Sequence, residues 1–589
     1  VSVKCTTTGI NTDDNGNYTI TVPSNNAILV FSFVGYTPVE QIVGTRTNIS
    51  IQLQPETTQL DAVVVTALGI KRAEKALGYV TQSVDGDNLQ KVKGTNVATS
   101  LTGKVAGLQI LNSTEFMEDP DIKIRGKEPL LVVDGVPYAN MKLTDLSSDD
   151  ILSMDILKGA GASALYGEAG GNGALMVTTK RGGDKGFSVS VNTSNMFNMG
   201  FLAVPEVQTS YSAGDNGKYN TDEYVWGDKM DIGREYSKWD PILKEYTTRE
   251  LRSVGKDNFK NFLEFSYISN TNVSFSQQGE NGSVRASINY LRNKGQYPNS
   301  KGQQFNYNVS GEMKLGDKVK IDASVGFVKR TAPNDAGTGY NNQGYIYNIL
   351  IWSGTEYDLR DYKDNYWLVK DEQQNWHYKS WYDNPYLAAY EKLNTIDKNK
   401  LNAQFTLNYE VTNWAKLLVR SGYDFYSNNA IRRTPRSINS TRFWGGSTSS
   451  KGGYYRNDEN NGYSTTNDFI LMTDNKIGKF KIEGLVGGTI FYSKDKEFYA
   501  ASKGGLVIPG FYSLRNAVEI TANQEDKELM RNSLYAKASL DYDGKIFLDI
   551  TGRNDWSSTL PKGDRSYFYP SASLSVIPSQ MIKLPDWFS

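Results

Sequence analysis

From Gly186 onward, apolar and polar side chains alternate through a series of stretches separated by connections. Phe305, Tyr307, Val309, Gly311, Met313 and Leu315 alternate with Asn306, Asn308, Ser310, Glu312 and Lys314. Leu401, Ala403, Phe405, Leu407, Tyr409 and Val411 alternate with Asn402, Gln404, Thr406, Asn408 and Glu410, and Val319 to Phe327 repeats the pattern. A period of two marks strands whose faces meet different surroundings. About 12 such strands are expected, near 186–198, 262–276, 283–294, 304–316, 318–330, 398–411, 415–427, 464–477, 480–494, 528–543, 545–557 and 567–577. Their connections come in two lengths. Tight junctions (GENG at 279–282, GD at 316–317, TNW at 412–414, GK at 478–479, DG at 543–544) take turns with long ones at 199–261, 331–397, 428–463 and 495–527. Junctions 295–303 and 558–566 are intermediate. A sandwich has no reason to sort its loops this way. A barrel that crosses an outer membrane does, with short turns at one rim and long loops at the other. The alternation then reads inside out, apolar side chains toward lipid and polar ones toward a wet lumen.

Composition fits that reading. Lys+Arg number 64 and Asp+Glu 65 in 589 residues, so the basic excess of a nucleic-acid binder is missing. Aromatics make up 12%, with 37 Tyr, which suits strands and membrane-interface belts. No run of about 18 apolar residues supplies a transmembrane helix, whereas a barrel strand needs only about 10 residues. One cysteine, Cys5, and one histidine, His377, exclude a disulfide, a Cys-rich metal site and an HExxH site. Cys5 is expected as a small buried hydrophobe, and His377, in NWHYKSWY, as a loop-surface residue.

Ahead of the strands lie two smaller regions. In residues 1–56, Tyr18, Ile20 and Val22 share one face, DDNGNY at 13–18 is a turn signal, and AILVFSFVGYTPVEQIV is a buried strand with its exit. Gly16 falls too early for a calcium loop. The chain opens on VSVKC, so a leader and a first strand are expected upstream. In residues 57–183, PETTQ is linker-like and Val63, Val64 and Val65 form an extended β-branched run, a ready partner for β-augmentation if exposed. The other reading of that run is an ordinary strand. Asn96 to Gly103 reads as a short helix with Thr95 as N-cap. Leu130 to Val133 is a buried strand ending in the Asp134-Gly135 turn, and Ile151 to Lys158 is another. Gly159, Gly161 and Ala164 fit GxGxxA, but Thr178, Thr179 and Lys180 stand where a dinucleotide site needs an acid, so the glycines serve tight turns. Asp458 and Glu459, adjacent on a polar stretch expected as loop, lack the separation that glycosidase carboxylates need.

TTTGINTDDNGNYTITVP…LVFSFVGY resembles the carboxypeptidase-regulatory-type β-sandwich, without its peptidase. The ordered set LDAVVVTALGIKR, GKVAGLQI, IRG, PLLVVDGVP, LKGAGASALYG and NGALMVTTKRG resembles the plug of the SusC/RagA family of TonB-dependent transporters, and GRNDWSS and SYFYPSASLSV resemble its barrel strands. One departure is that only Lys127, Glu128 and Pro129 separate IRG from the VVDG strand.

The resemblance implies a mainly β fold: a small β-sandwich (1–56), a linker with a TonB box (57–70), an α+β plug domain (71–183), and a large antiparallel transmembrane β-barrel (184–589). Plugged importers have 22 strands, so about 10 strands are expected beyond these 12. An open edge in lipid would leave backbone groups unpaired. Asp61, Ala62, Val63, Val64, Val65 and Thr66 would form the TonB box. Arg125, Gly126, Asp134, Gly135, Lys158, Gly159, Tyr166 and Gly167 would carry the plug motif. Trp352, Trp367, Trp376 and Trp381 are candidate substrate or lid aromatics, against loop self-packing. The implied activity is TonB-dependent import of oligosaccharides or oligopeptides across the bacterial outer membrane, with the N-terminal domain in the periplasm. The alternative is a passive porin or adhesin. Implied partners are a SusD-like surface lipoprotein, TonB with its ExbB/ExbD motor, the lipid and LPS of the membrane, and a second transporter–lid pair as a dimer. No nucleic acid, metal, cofactor or enzymatic step is expected.

Overall fold

A computed structural model gives the structure of the chain. It describes all residues except 5, 7, 14–15, 34–37, 54–62, 74–75, 78–80, 92–93, 95, 114–115, 160–164, 184, 199–203, 222–223, 336–343, 379–381, 439–451 and 583–589. Cys5 and Thr95 therefore lie outside the described residues. The chain divides into two compact units, Val1–Ala62 and Val63–Ser589.

In the smaller unit, strand Ile28–Phe31 pairs antiparallel with Ser2–Val3 on one side and Val39–Ile42 on the other. Its core is Val3, Leu29, Phe31, Val43 and Ile49, and Tyr18, Ile20 and Val22 pack on it as one face. The Tyr18 ring meets Phe31 edge-on at 5.5 Å. At the DDNGNY turn, Gly16 adopts φ +84° and donates its N–H to the Asp13 carbonyl at 2.9 Å.

The larger unit holds an inner α+β domain and a wall. The inner sheet has the order Val136–Pro137, Leu130–Val133, Ala174–Thr179, Ile151–Leu157, Thr81–Asp85. Ala174–Thr179 runs parallel to Leu130–Val133, and the other pairs are antiparallel. Met154, Ile156, Leu157 and Ala174 to Val177 are buried, as continuous apolar strands covered on both faces must be. One face packs on helices Gly86–Gln90 and Val97–Leu101, where Asn96 caps the second by accepting from the Thr99 N–H at 3.0 Å.

The wall is one antiparallel meander of twelve strands, from Gly186–Asn198 to Ser566–Val576, each bonded to its neighbours in sequence. Gly316, Gly478 and the Asp543-Gly544 pair take positive φ at the tight turns, which are two or three residues long. Among the described residues its two outermost strands are not paired to each other. Adjacent residues face opposite surroundings: Phe469 is 53% exposed and Asp468 2%, Leu534 60% and Ser533 4%. Water-soluble proteins bury the first kind and expose the second. The exposed apolar face suits lipid, and the buried polar face closes on the inner domain.

Polar bonds from around the wall reach that domain. Asn192 donates to Asp149 at 3.0 Å, Ser287 to Asp150 at 2.9 Å, Gln304 to the Thr144 carbonyl at 3.1 Å and Lys400 to Asp145 at 2.6 Å. Asn140 donates to Asp424, and Arg72 pairs with Asp549 at 2.7 Å and Glu483 at 3.2 Å. The described residues of 63–180 thus do not lie apart from the strands, and the strands do not form two layers around a dry centre.

Strands Tyr454–Ile477, Phe480–Leu506 and Ala517–Tyr542 run 10 to 12 residues past the alternating stretch. From 518 to 528 every residue is exposed, so alternation has nothing to record there. Asp458 and Glu459 fall on the first of these strands, not a loop, and so point to opposite faces. The first long connection carries a hairpin, Glu235–Asp240 with Glu245–Glu250, and a helix, Asn258–Phe262, that delays the next strand to Ser266.

Candidate functional site

The functional interest centres on the start of the larger unit. Strand Val63–Val65 pairs antiparallel with Lys71–Ala73. Between them Leu68 at φ +64° and Gly69 at φ +79° turn the chain. Thr66 closes the turn, its N–H and its hydroxyl both donating to the Ile70 carbonyl at 2.8 Å. Leu68 pays about 1–2 kcal/mol to sit left-handed, so outside contacts have to hold it there. They are specific: its N–H donates to the Tyr166 hydroxyl at 2.7 Å, and its carbonyl accepts from Arg420 of the wall at 3.1 Å. The Val65 N–H donates to Asp155 at 3.2 Å.

This corrects the expectation of an exposed run. Val64 and Thr66 are 2% and 4% exposed, because the run finds a partner strand in its own chain. Asp61 and Ala62 lie outside the described residues, as does the side chain of Val63.

The sequence motifs build the surroundings of this hairpin. Asp134 at φ +49° and Gly135 at φ +86° make the two-residue turn between strands Leu130–Val133 and Val136–Pro137. The Asp134 carboxylate also accepts from the Thr179 N–H at 2.9 Å and from Arg181 at 2.9 Å, tying in the last inner strand. A Cβ on Gly135 would stand 2.1 Å from the Arg420 guanidinium, so glycine is what lets Arg420 reach Leu68. Arg125 and Gly126, at φ +51° and +81°, make a second such turn, so IRG needs no long loop after it. Lys158 donates to Gln82 at 3.1 Å, and Gly159 adopts φ +95°. Tyr166 is buried, and burial raises its hydroxyl well above the ordinary value, so it stays a neutral hydrogen-bonding group. A Cβ on Gly167 would lie 2.2 Å from Asp555, where domain and wall touch backbone to side chain.

Three wall groups missing from the expected set complete the site. Arg420 pairs with Asp468 at 2.6 Å with both side chains 2% exposed, and Thr489 donates to the same carboxylate at 2.6 Å. Arg553 bonds Asp555 at 2.7 Å, Ser533 at 2.7 Å and the Leu165 carbonyl. Lys537 meets Asp549, the partner of Arg72, at 3.0 Å. Their only sequence signal is a charge on the inward register of an alternating strand.

On the plug side, burial alone would raise the Asp119 carboxyl, but the Thr144 hydroxyl and the cations Lys400, Arg330 and Lys398 outweigh it and hold it below the usual range.

The aromatics of the long connections are used differently from the substrate reading. Trp376 is fully buried, within a core of Phe259, Phe262, Tyr345, Tyr362 and Tyr386. Trp352 and Trp367 pack half-buried, the first on Tyr347 at 5.8 Å, the second donating to Glu391 at 3.2 Å. Trp381 lies outside the described residues. His377 is no loose surface residue: Tyr362 bonds its Nδ1 at 3.0 Å and the Tyr357 ring lies 4.0 Å away.

Comparison with known proteins agrees with this anatomy. Residues 1–65 match a CarboxypepD_reg-like domain, and residues 73–174 match the TonB-dependent Receptor Plug Domain. TonB-dependent receptor P3 of Formosa agariphila is 26% identical over 98% of this chain and 54% of its own length. TonB-dependent receptor SusC of Bacteroides thetaiotaomicron is 28% identical over 60% of this chain and 36% of its own. Among solved structures, the RagAB peptide importer in its 'open-open' state superposes with a TM-score of 0.67 at 18% identity, over 87% of this chain and 58% of that one. The chain spans about half the length of the curated relatives it matches along its whole extent.

Proposed function

We propose that this chain, a relative of SusC-type TonB-dependent receptors that shares their plugged outer-membrane β-barrel fold, belongs to an active importer of oligomeric nutrients. The observation that carries the reading is the docked hairpin at Val63–Ala73. An isolated two-stranded pairing is marginal in water, so this one depends on its pins at Tyr166, Arg420 and Asp155. TonB, driven by its ExbB/ExbD motor, adds a strand to Asp61–Thr66 in exchange for Lys71–Ala73. Backbone bonds lost to one partner are regained with the other, so the exchange itself costs little. Force then passes along Lys71–Ala73 to Arg72 and its wall partners Glu483 and Asp549, and shifts the plug.

The chain is then organised as a regulatory-type domain at 1–56, a linker with the TonB box at 57–70, a plug at 71–183 and barrel strands from 184. A SusD-like surface lipoprotein covers the mouth formed by the long connections, and two such units pair as a dimer. The cargo is an oligosaccharide or an oligopeptide. No bond in it is made or broken. A passive porin or adhesin needs neither a filled lumen nor a docked tag, and the polar seam around the wall favours the importer.

Deleting residues 60–66 tests this. Uptake is expected to stop while cargo binding at the surface persists. Undiminished uptake by the deletion variant would refute the assigned role.

A further inference from the structure

Arginines on the inner face of the wall are mostly matched by carboxylates. Arg420 is matched by Asp468, Arg553 by Asp555, Arg285 by Asp150 and Arg330 by Asp119. Arg531 is different. It lies on the inward register of Ala517–Tyr542, directly across from Phe491, and its guanidinium stands 5.2 Å over that ring. Among the described residues no carboxylate lies within ion-pair distance of it and no hydrogen bond ties it down. Asp555, the nearest acid on the neighbouring inward register, already holds Arg553 at 2.7 Å.

Arg531 borders a cavity of about 120 Å³ between plug and wall. The lining also includes Asp468 and Arg553, each held in its own ion pair, and is otherwise mostly apolar, with Leu68, Leu130, Leu165 and Ala169 from the plug facing Phe491. Engineered apolar cavities of roughly 150 Å³ take a benzene-sized body. A net positive charge at one wall of such a space selects a ligand with an acidic head and a compact carbon skeleton. Neutral sugars offer the site no counter-charge.

We propose that this seam cavity is an anion subsite, in which Arg531 takes a carboxylate borne by the cargo while the apolar lining holds the adjoining skeleton. The inference rests on the importer reading and narrows it to cargo with a carboxylate. Leu68, the strained residue of the docked hairpin, lines the same cavity, so an occupant touches the turn that Tyr166 and Arg420 hold.

The test uses the purified full protein in a neutral maltoside detergent, with fluorine NMR line broadening of 4-fluorobenzoate read against neutral 4-fluorobenzamide. The acid is expected to broaden well beyond the amide. Arg531→Gln should weaken acid binding at least tenfold, and Arg531→Lys should keep part of it. Ala169→Leu, which fills the cavity from the plug side and leaves Arg531 intact, should also abolish the excess. Equal broadening of acid and amide, or an excess that survives Arg531→Gln, overturns the subsite. The measurement needs no TonB and no energised membrane. Absence of acid selectivity in the native protein, with uptake lost on deleting 60–66, therefore sinks the subsite alone, and intact selectivity with uptake unaffected by deleting 60–66 sinks the importer reading alone.

Discussion

The seam between plug and wall and the core of the loop cap are both shut off from water, but by opposite kinds of contact. The seam is built from ion pairs and hydrogen bonds such as Lys400 with Asp145, Arg285 with Asp150 and Asn192 with Asp149. The loop core is built from rings: Trp376 on Tyr362 at 4.8 Å, Phe262 on Tyr345 at 4.8 Å, Tyr378 stacked on Tyr382 at 4.0 Å. Polar contacts are directional, and water can replace them when a seam opens. Ring packing has no such substitute, because exposing it costs the full hydrophobic term. The contacts of the seam are therefore of a kind that water can replace, and those of the loop core are not.

The sharpest way to break this contrast is to empty the loop core. Trp376→Ala should cost about 3–5 kcal/mol locally. Limited proteolysis should then cut within 199–261 and 331–397 while the wall strands stay protected. Uniform loosening of loops and wall would mean that the two regions are not separate.

In the seam, Arg420→Met strands the buried Asp468 and should cost about 3–5 kcal/mol, most of it recovered by adding Asp468→Leu. Thermal unfolding of both variants checks this. A double variant no better than the single one would show that Arg420 acts through Leu68 rather than through its charge partner.

Gly135→Ala should cost about 1–3 kcal/mol for a side chain at φ +86° that also displaces Arg420. Its distinguishing effect is faster hydrogen exchange at the Leu68 amide, with strands far from the turn unchanged.

Two carboxyls give smaller, pH-dependent effects of opposite sign. Glu356, buried in the loop cap and accepting from the Ala213 N–H at 3.1 Å, is raised by burial. A raised acid stabilises the fold below its unfolded pKa, and that contribution is lost as pH climbs through the folded value. Protection around Ala213 and Glu356, corrected for intrinsic exchange, should fall as pH rises and become flat in Glu356→Gln. Asp119, held low by Thr144 and three cations, contributes above its unfolded pKa and loses that as pH drops through the folded value. Protection of the Asp119 loop should therefore weaken in acid, and Asp119→Asn should remove the trend.

These regions were not equally legible in the sequence. The twelve wall strands stood out because each has a dry face and a polar face, which writes period two into the chain. Where both faces meet water, as in 518–528, the strand continues and the alternation stops. Val63–Val65 announced a strand but not its partner, since strands pair through backbone groups that every residue carries. Arg420 and Asp468 lie 48 residues apart, and nothing local joins them until neighbouring strands set them side by side. Trp376 looked available because a tryptophan in a long connection does not show whether that connection folds on itself.

A plugged barrel requires the apolar face of the wall to meet lipid and the polar face to meet the plug, and adjacent residues can report which way each points. With Cys5 replaced by serine, nitroxide labels at Leu534→Cys and Val309→Cys should collide readily with oxygen dissolved in lipid and be shielded from a water-soluble nickel complex. Labels at Ser533→Cys and Ser310→Cys, one residue away, should be immobilised and poorly accessible to oxygen. Reversed accessibilities, or equal ones at both positions of each pair, would contradict a polar face closed on a plug.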